Sequence, residues 1–473
     1  MPRFNGFVHA DGHTIVDGSG NALLLRGVGL GNWLLPEGYM WKFGDEMSSP
    51  RQIEKRIESL VGAEAAADFW TRFRDTFITE KDIARIAELG FDHVRLPLNS
   101  RYLVTDDGEF LAEGFDRIDD LLAWCERHGL WVLLDLHGAP GGQTGTNIDD
   151  SPNGRPELFM DDRWRALTIS LWVEIARRYR DNTVVLGYDL LNEPLPNEWQ
   201  HTYATELAQL YQDLTVAIRA VDARHLLMYE GAHWATNWSI FTEVWDRNSA
   251  LQFHRYWCPP DESSIEEYLE TRKRLGLPIY MGEGGENTPE WIYTAHRLYE
   301  RHGIGWNFWP WKKLDTRTSP VSASRPTGWD EIAVPAETPA PAEATAILNE
   351  FVEAVALDRC TPNPTVVDAM FARAPLSIPA WGHAPVTGDD TRHLAALGET
   401  TRWHHTAGEP YADDEQVPVR MVAGDERRYP LAAAPASLTV HADPSELVTA
   451  RWDGAAIVVE ATGAAMIHRV VVA

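Results

Sequence analysis

Three cysteines in 473 residues, Cys125, Cys258 and Cys360, stand at wide and irregular spacing. That is too little for a disulfide framework or a cysteine-built zinc site. Basic residues are also scarce. Lys and Arg number 42 against 70 Asp and Glu, a formal net charge of −28. So acidic a surface repels phosphate backbones and anionic headgroups, which excludes nucleic acid and membrane as expected partners. No apolar run is long enough to cross a bilayer. The opening residues, MPRFNGFVHADG, hold neither a basic n-region nor an apolar h-region. The expectation is a cytoplasmic protein with no metal and no cofactor. Nothing in the sequence specifies an oligomeric state.

Aromatic residues are abundant, with 20 Trp, 14 Tyr and 15 Phe. Most of the Trp belong to core packing. Aromatic faces also pack on the apolar C–H faces of sugar rings, and a neutral ligand suits an acidic chain. The length fits one large barrel of ~250 residues or more plus a smaller module.

Residues 7–30 read as a hairpin, FVHA-DG-TIVD, followed by the first long apolar run, and the hairpin is expected to close a barrel floor. From there, short β-like runs alternate with amphipathic helices. The strands are expected at 22–30, 93–98, 131–137, 185–193, 225–231, 251–254, 278–283 and 304–309. Helical segments such as IARIAELG and IDDLLAWCERHG lie between them and end in Gly or a basic residue. Eight apolar strands alternating with helices point to an α/β fold, a (β/α)8 TIM barrel. An open doubly wound sheet would need a phosphate loop leading into a helix, and GVGLGNW continues instead into WLLPEGYMW. Long loops follow the first strand (31–50), the third (139–160) and the eighth (312–341), on the side where barrel active sites form. Beyond about residue 375 the texture becomes short β runs: PVRMVAG, SLTVHAD, ELVTARWDG, AAIVVEATG and AAMIHRVVVA. The expected organisation is a barrel with its hairpin over 1–360 and a small antiparallel β-sandwich over 375–473.

Polar side chains capable of catalysis close strand after strand. Arg95 ends the second, His137 the third, Asn192 and Glu193 the fourth, His254 the sixth, Glu283 the seventh and Trp309 the eighth. Each alone could be a solvated or structural residue; six repetitions of the pattern are what catalysis in a barrel requires. Glu193 follows YDLLN and Glu283 follows PIYMG, and only the closure of a barrel would bring them together. Two carboxyl groups about 5 Å apart would serve glycoside cleavage with retention, and about 6.5–9.5 Å would serve inversion.

The pieces RGVGLGNW (26–33), HVRLPL (93–98), LDLHGAPGGQ (134–143), LLNEP (190–194), HRY (254–256), GE (282–283) and GWNFWPWK (305–312) occur in an order that resembles glycoside hydrolase family 5. LNEP and LDLHGAPGGQ carry most of that specificity. With Trp33-x-x-x-Glu37 they lie nearest the exo-β-1,3-glucanase and β-glucosidase-like members. The resemblance implies a retaining β-glycosidase with Glu193 as acid/base and Glu283 as nucleophile. Asn192 would bond the 2-hydroxyl, Arg95 would favour the charged form of Glu283, and Tyr256 would donate to it. His254 would sit near the acid/base, whose pKa the Glu283 charge would raise. His137 and Glu37 would grip the terminal sugar, and Trp309 would form a stacking floor. The expected reaction is exo cleavage of β-glucosidic bonds in an oligosaccharide or glycoconjugate. A β-mannosidase or endo-β-glucanase on the same scaffold, and a non-catalytic carbohydrate-binding protein, are the alternatives. GEGGEN departs from the pattern by adding Glu286, a second candidate nucleophile beyond the strand end. Glu230 and Trp234 are further subsite candidates, with a surface role as an equal alternative.

Overall fold

The computed structural model describes residues 4–473 except 45, 46, 147, 335, 337, 386–393, 395–402, 406, 407, 410 and 412–416. Eight parallel strands, Arg26–Gly29, His93–Asn99, Trp131–Gly138, Val185–Asp189, Leu226–Glu230, Ser249–His254, Ile279–Gly285 and Gly305–Trp309, pair in sequence order, and the eighth pairs back to the first. The last seven are buried along their whole length. Strands covered on both faces are continuous apolar runs in sequence, which is why these were legible. The hairpin His9–Asp11/Thr14–Val16 closes the floor, where Val8 and Ile15 join Leu25, Trp131, Leu133, Leu186 and Tyr280 in one cluster. Helix boundaries follow local chemistry. Glu80–Leu89 opens on a reciprocal Thr79/Asp82 capping box and stops at Gly90 with φ 94°, a left-handed position that glycine fills without strain.

The structure differs from the expected segmentation at three places. The first strand is shorter, because Ala22 bridges to Val16 and Leu23 N–H donates to the Ile15 carbonyl at 2.9 Å, which ties these residues to the hairpin and leaves Arg26–Gly29 for the barrel. The fourth strand stops at Asp189, so Asn192 and Glu193 lie on the loop beyond it rather than on the ladder. Two helices not anticipated, Pro50–Val61 and Ala63–Phe77, form an outer layer with the late helix Pro341–Ala354. That layer is aromatic: Trp41 lies 4.9 Å from Phe73 and 4.6 Å from Phe351, and Phe351 4.5 Å from Trp329, between ring centroids. The long excursion after the eighth strand is structured too, by the parallel pair Lys312–Leu314/Val321–Ala323 and the helix Trp329–Ala333.

Helix Pro364–Phe371 leads into the C-terminal module. There Leu376–Pro379, Val419–Met421 and Leu438–Asp443 pair with Ala465–Val472, and Glu426–Pro430, Ala456–Ala461 and Val448–Trp452 form a second antiparallel sheet. Ile457, Val459, Ile467 and Val470 are buried. The module is fixed to the barrel helix Pro289–Arg301, whose Tyr293 hydroxyl donates to the Pro430 carbonyl at 2.8 Å. No helix among the described residues is long and apolar enough to cross a membrane.

Candidate active site

The loop APGGQ explains how the site is framed. Gly141 and Gly142 hold φ of 76° and 80°, and this double left-handed turn sends the Gln143 side chain back over the strand ends. Its amide N–H donates to the carbonyls of His137 at 2.7 Å and Asn192 at 3.0 Å, and its oxygen accepts from Ala139 N–H at 3.1 Å. Gln143 thus fastens the third strand end to the loop carrying Asn192 and Glu193. It was not singled out as a site residue, although it is the last residue of the quoted motif. The glycines of GVGLG have a different role. A Cβ on Gly29 or Gly31 would come within 2.5 Å of the Trp309 ring, so the six-membered ring of the indole abuts that backbone. The indole runs parallel to the His137 ring, 5.3 Å away at 7°, and its N–H donates to the Tyr39 hydroxyl at 3.1 Å.

Arg95 is fully buried among four carboxylates. It contacts Asp189 at 2.8 Å, Glu230 at 3.1 Å, Asp135 at 3.2 Å and Glu283 at 2.5 Å, and also donates to Asn192 Oδ1 at 2.8 Å. So many acids around one guanidinium cannot all be comfortable as anions. Burial pushes Asp135 up to about 8 against the pull of Arg95, and raises Asp189 well above the carboxylate range. Burial also raises Glu283, with the Glu193 charge adding to it, although His254 and Arg95 draw it back. The expectation that Arg95 governs the Glu283 charge is therefore half the account, because desolvation acts harder in the opposite direction. Tyr256 donates to Glu283 Oε2 at 2.9 Å.

Glu193 has φ 43°, a left-handed conformation uncommon for a residue with a side chain. Its backbone N–H donates to Glu230 Oε2 at 2.7 Å, and its Oε1 lies 2.7 Å from His254 Nδ1. Burial alone would lower His254, but Glu230, Glu283 and the bond to Glu193 overcome it and raise the imidazole well above its usual pKa. His137 behaves oppositely: burial lowers it to about 4. As a neutral ring it gives Nδ1–H to Asp135 at 2.7 Å and accepts Asn192 Nδ2–H at 3.2 Å through Nε2.

Carboxylate oxygens of Glu193 and Glu283 and a ring nitrogen of His254 all lie within 4.8 Å of one another. By donor type the trio could ligate a metal ion. Each member is already engaged, however, and a protonated His254 has no free lone pair. These groups open into a cavity of about 810 Å³. Its inner end is formed by Glu37, His137, Trp309, Glu286 and Lys313, all buried, and its outer end by Ile148, Trp234 and the exposed Trp257. Burial and the charges of Glu283, Glu286 and Glu193 raise Glu37 well above the carboxylate range. Glu286 points away from Arg95. It pairs with Lys313 and accepts from Tyr39 at 3.3 Å. The segment between the modules reaches this mouth: Trp257 stacks on His404 at 4.3 Å, and the buried Asn287 amide donates to the Trp403 carbonyl at 2.6 Å.

All nine residues singled out in the sequence thus converge on one cavity or the layer beneath it. Trp234 lines the outer end. Glu230 fits neither reading given to it: it is 0% exposed and lies below the cavity, because the inward face of the fifth strand end is sealed by Arg95 and Gln252.

A family model described as Cellulase (glycosyl hydrolase family 5) matches residues 55–315. A β-xylosidase of Phanerodontia chrysosporium is 30% identical over 347 residues, spanning 65% of this chain and 71% of its own. Endoglucanase C of Acetivibrio thermocellus is 35% identical over 305 residues, 51% of this chain and 86% of the relative. The crystal structure of an endogalactoceramidase superposes with a TM-score of 0.54 at 18% identity, covering 99% of this chain and 100% of that one. That similarity extends through both modules and concerns the fold.

Proposed function

The chain belongs to glycosyl hydrolase family 5 and is a retaining β-glycoside hydrolase, and from that premise we propose that Glu283 is its nucleophile and Glu193 its acid/base. The carrying observation is their spacing. Nearest oxygens within 4.8 Å suit the retaining arrangement, about 5–5.5 Å between carboxyl groups, better than the wider gap that holds an attacking water in an inverting one. Arg95 and Tyr256 orient Glu283 for attack at the anomeric carbon. Glu193 gives its proton to the leaving oxygen, whose bond to that carbon breaks. Once the glycosyl ester forms, the charge of Glu283 is gone and Glu193 accepts a proton from the incoming water. Asn192 is within reach of the 2-hydroxyl, and Glu37, His137 and Trp309 receive the remainder of the terminal sugar. The salt bridge to Lys313 argues against Glu286 as nucleophile. Glu283→Ala should lose activity by orders of magnitude and yield an α-glycosyl azide with external azide. An initial α anomer from the wild-type enzyme, seen by proton NMR before mutarotation, would overturn the assignment.

The buried inner end supports exo action on a β-glucosidic bond of an oligosaccharide or glycoconjugate. Release of long fragments with rapid loss of viscosity on a β-glucan would instead favour the endo mode in the endoglucanase's name. The outer wall of Ile148, Trp234 and Trp257 favours a second substrate reading, an apolar aglycone, in line with the endogalactoceramidase's name. Alkyl β-glucosides of increasing chain length should then show falling KM, and a flat series would discard that reading.

A further inference from the structure

Glu230 ends the fifth barrel strand, fully buried and out of reach of a sugar in the cavity. Its carboxylate nevertheless meets the proposed acid/base from two directions. Oε2 accepts the backbone N–H of Glu193 at 2.7 Å. Oε1 faces His254 Nε2 at 3.4 Å, while the opposite ring nitrogen of His254 meets Glu193 Oε1 at 2.7 Å. Oε1 also receives Gln252 Nε2 and, at 3.1 Å, Arg95 Nη2. The imidazole therefore lies between two carboxyl groups, hydrogen-bonded to the one in the cavity wall and at ion-pair distance from the one beneath it, with Gln252 Nε2 also 3.3 Å from the ring Nε2.

We propose that Glu230 is a positioning residue that keeps the Glu193–His254 pair protonated and holds the left-handed Glu193 backbone in place. The inference rests on Glu193 being the acid/base. An anion fixed at Nε2 favours imidazolium over imidazole, so the pair retains its proton to higher pH than Glu193 and His254 alone would. A carboxylate is required for this, since an amide of the same shape supplies the acceptor but not the charge. Burial would raise Glu230, yet His254, Arg95 and the Glu193 N–H together hold it below the usual range, so it is ionised throughout the working range. The other titratable or charged groups facing Glu230 and His254 are Arg95, Asp135, Asp189, Glu283, His137 and the Tyr211 phenol, whose hydroxyl donates to the Glu230 carbonyl at 3.0 Å. All of them remain when Glu230 alone is changed.

The test is Glu230→Gln, with kcat/KM followed against pH on two β-glucosides, one with a dinitrophenyl leaving group and one with an alkyl leaving group. The basic limb should move to lower pH by about one unit, a tenfold loss of proton affinity by the pair. The alkyl glucoside, which needs the proton, should lose at least about tenfold more than the dinitrophenyl one. A folded Glu230→Gln enzyme with an unmoved limb and equal losses on both substrates overturns the proposal and makes Glu230 a packing residue. Glu193→Ala separates this from failure of the acid/base reading. If Glu193→Ala itself spares the alkyl substrate, the reading of Glu193 fails; if it does not, the outcome for Glu230 stands alone. The wild-type enzyme gives a second measurement independent of how the variant folds. In 15N-histidine NMR, with the His254 signals assigned by their loss in His254→Gln, imidazolium should persist at pH values where an ordinary histidine is neutral, and a ring that titrates in the ordinary histidine range or below overturns the proposal.

Discussion

Replacing Gly31 by alanine should damage the enzyme through a residue 278 positions away in sequence. A Cβ at position 31 would lie 2.5 Å from Trp309 Cη2, 2.6 Å from Cζ2 and 3.0 Å from Cζ3. Comfortable carbon contacts begin near 3.5 Å, so the ring must retreat by about 1 Å. It has no free direction. Gly29 abuts the same ring, the His137 ring runs parallel to the indole, and the indole N–H is bonded to Tyr39. The backbone at Gly31 needs no left-handed φ, so the whole effect is overpacking, about 1–3 kcal/mol of stability. Displacing a sugar platform by about 1 Å should also lower kcat/KM by up to about 100-fold. Urea denaturation and aryl β-glucoside kinetics read the two effects. Trp309→Phe removes the atoms in conflict. In the double variant Gly31→Ala/Trp309→Phe most of the stability lost through Gly31→Ala should therefore return, a coupling of about 1–3 kcal/mol. Unchanged denaturation and kinetics within twofold for Gly31→Ala, or strict additivity in the double variant, would refute the reasoning.

Other perturbations follow from the buried polar groups. Lys312, whose ammonium donates to the carbonyls of Phe77 at 2.6 Å and Val355 at 3.0 Å and pairs with Asp82 at 2.8 Å, should cost about 3–5 kcal/mol when changed to Met; adding Asp82→Asn should recover part of it in the same denaturation assay. Gln143→Ala should cost about 1–3 kcal/mol by orphaning backbone groups and should lower kcat more than it raises KM, because the loop under Glu193 loses its fastening. His296, buried against Trp306, is lowered by burial from 6.5 to about 3. The unfolded chain takes up this proton below pH 6.5 and the folded one does not, so stability falls as pH drops from 6.5 towards 3. Between pH 7 and 4.5 His296 contributes a loss of about 3 kcal/mol; His296→Leu should flatten that part of the stability profile, and an unchanged slope would contradict the burial argument.

The barrel was legible because eight buried strands leave eight apolar runs, and the site because its polar residues sit where those runs end. Segments held by tertiary contact were harder to read. Residues 190–193 look like strand but leave the ladder, because the backbone at Glu193 is captured by Glu230 and that of Asn192 by Gln143. The helices over 50–77 carry the signals of a Ser49/Gln52 capping box and Gly62, yet their place is set by a distant partner, the helix at 341–354. The depth of Glu230 was invisible for a similar reason. A charged residue at a strand end looks the same whether it faces solvent or lies under Arg95, and only the closed barrel decides.

The reach of the inter-module segment to the cavity mouth bears on how this enzyme could be recombined with its relatives. The family match ends at residue 315, and a crossover there looks natural in an alignment. Such a crossover would replace Trp329 and Phe351, which roof the Trp41 loop next to Glu37, together with Trp403 and His404, which hold Asn287 and face Trp257. A chimera made at that seam would inherit one parent's catalytic carboxylates and cavity walls but the other parent's residues packed behind them. In a shuffled library, the barrel and everything through residue 411 should travel as one block, and chimeras that divide it should lose activity through misplaced cavity walls.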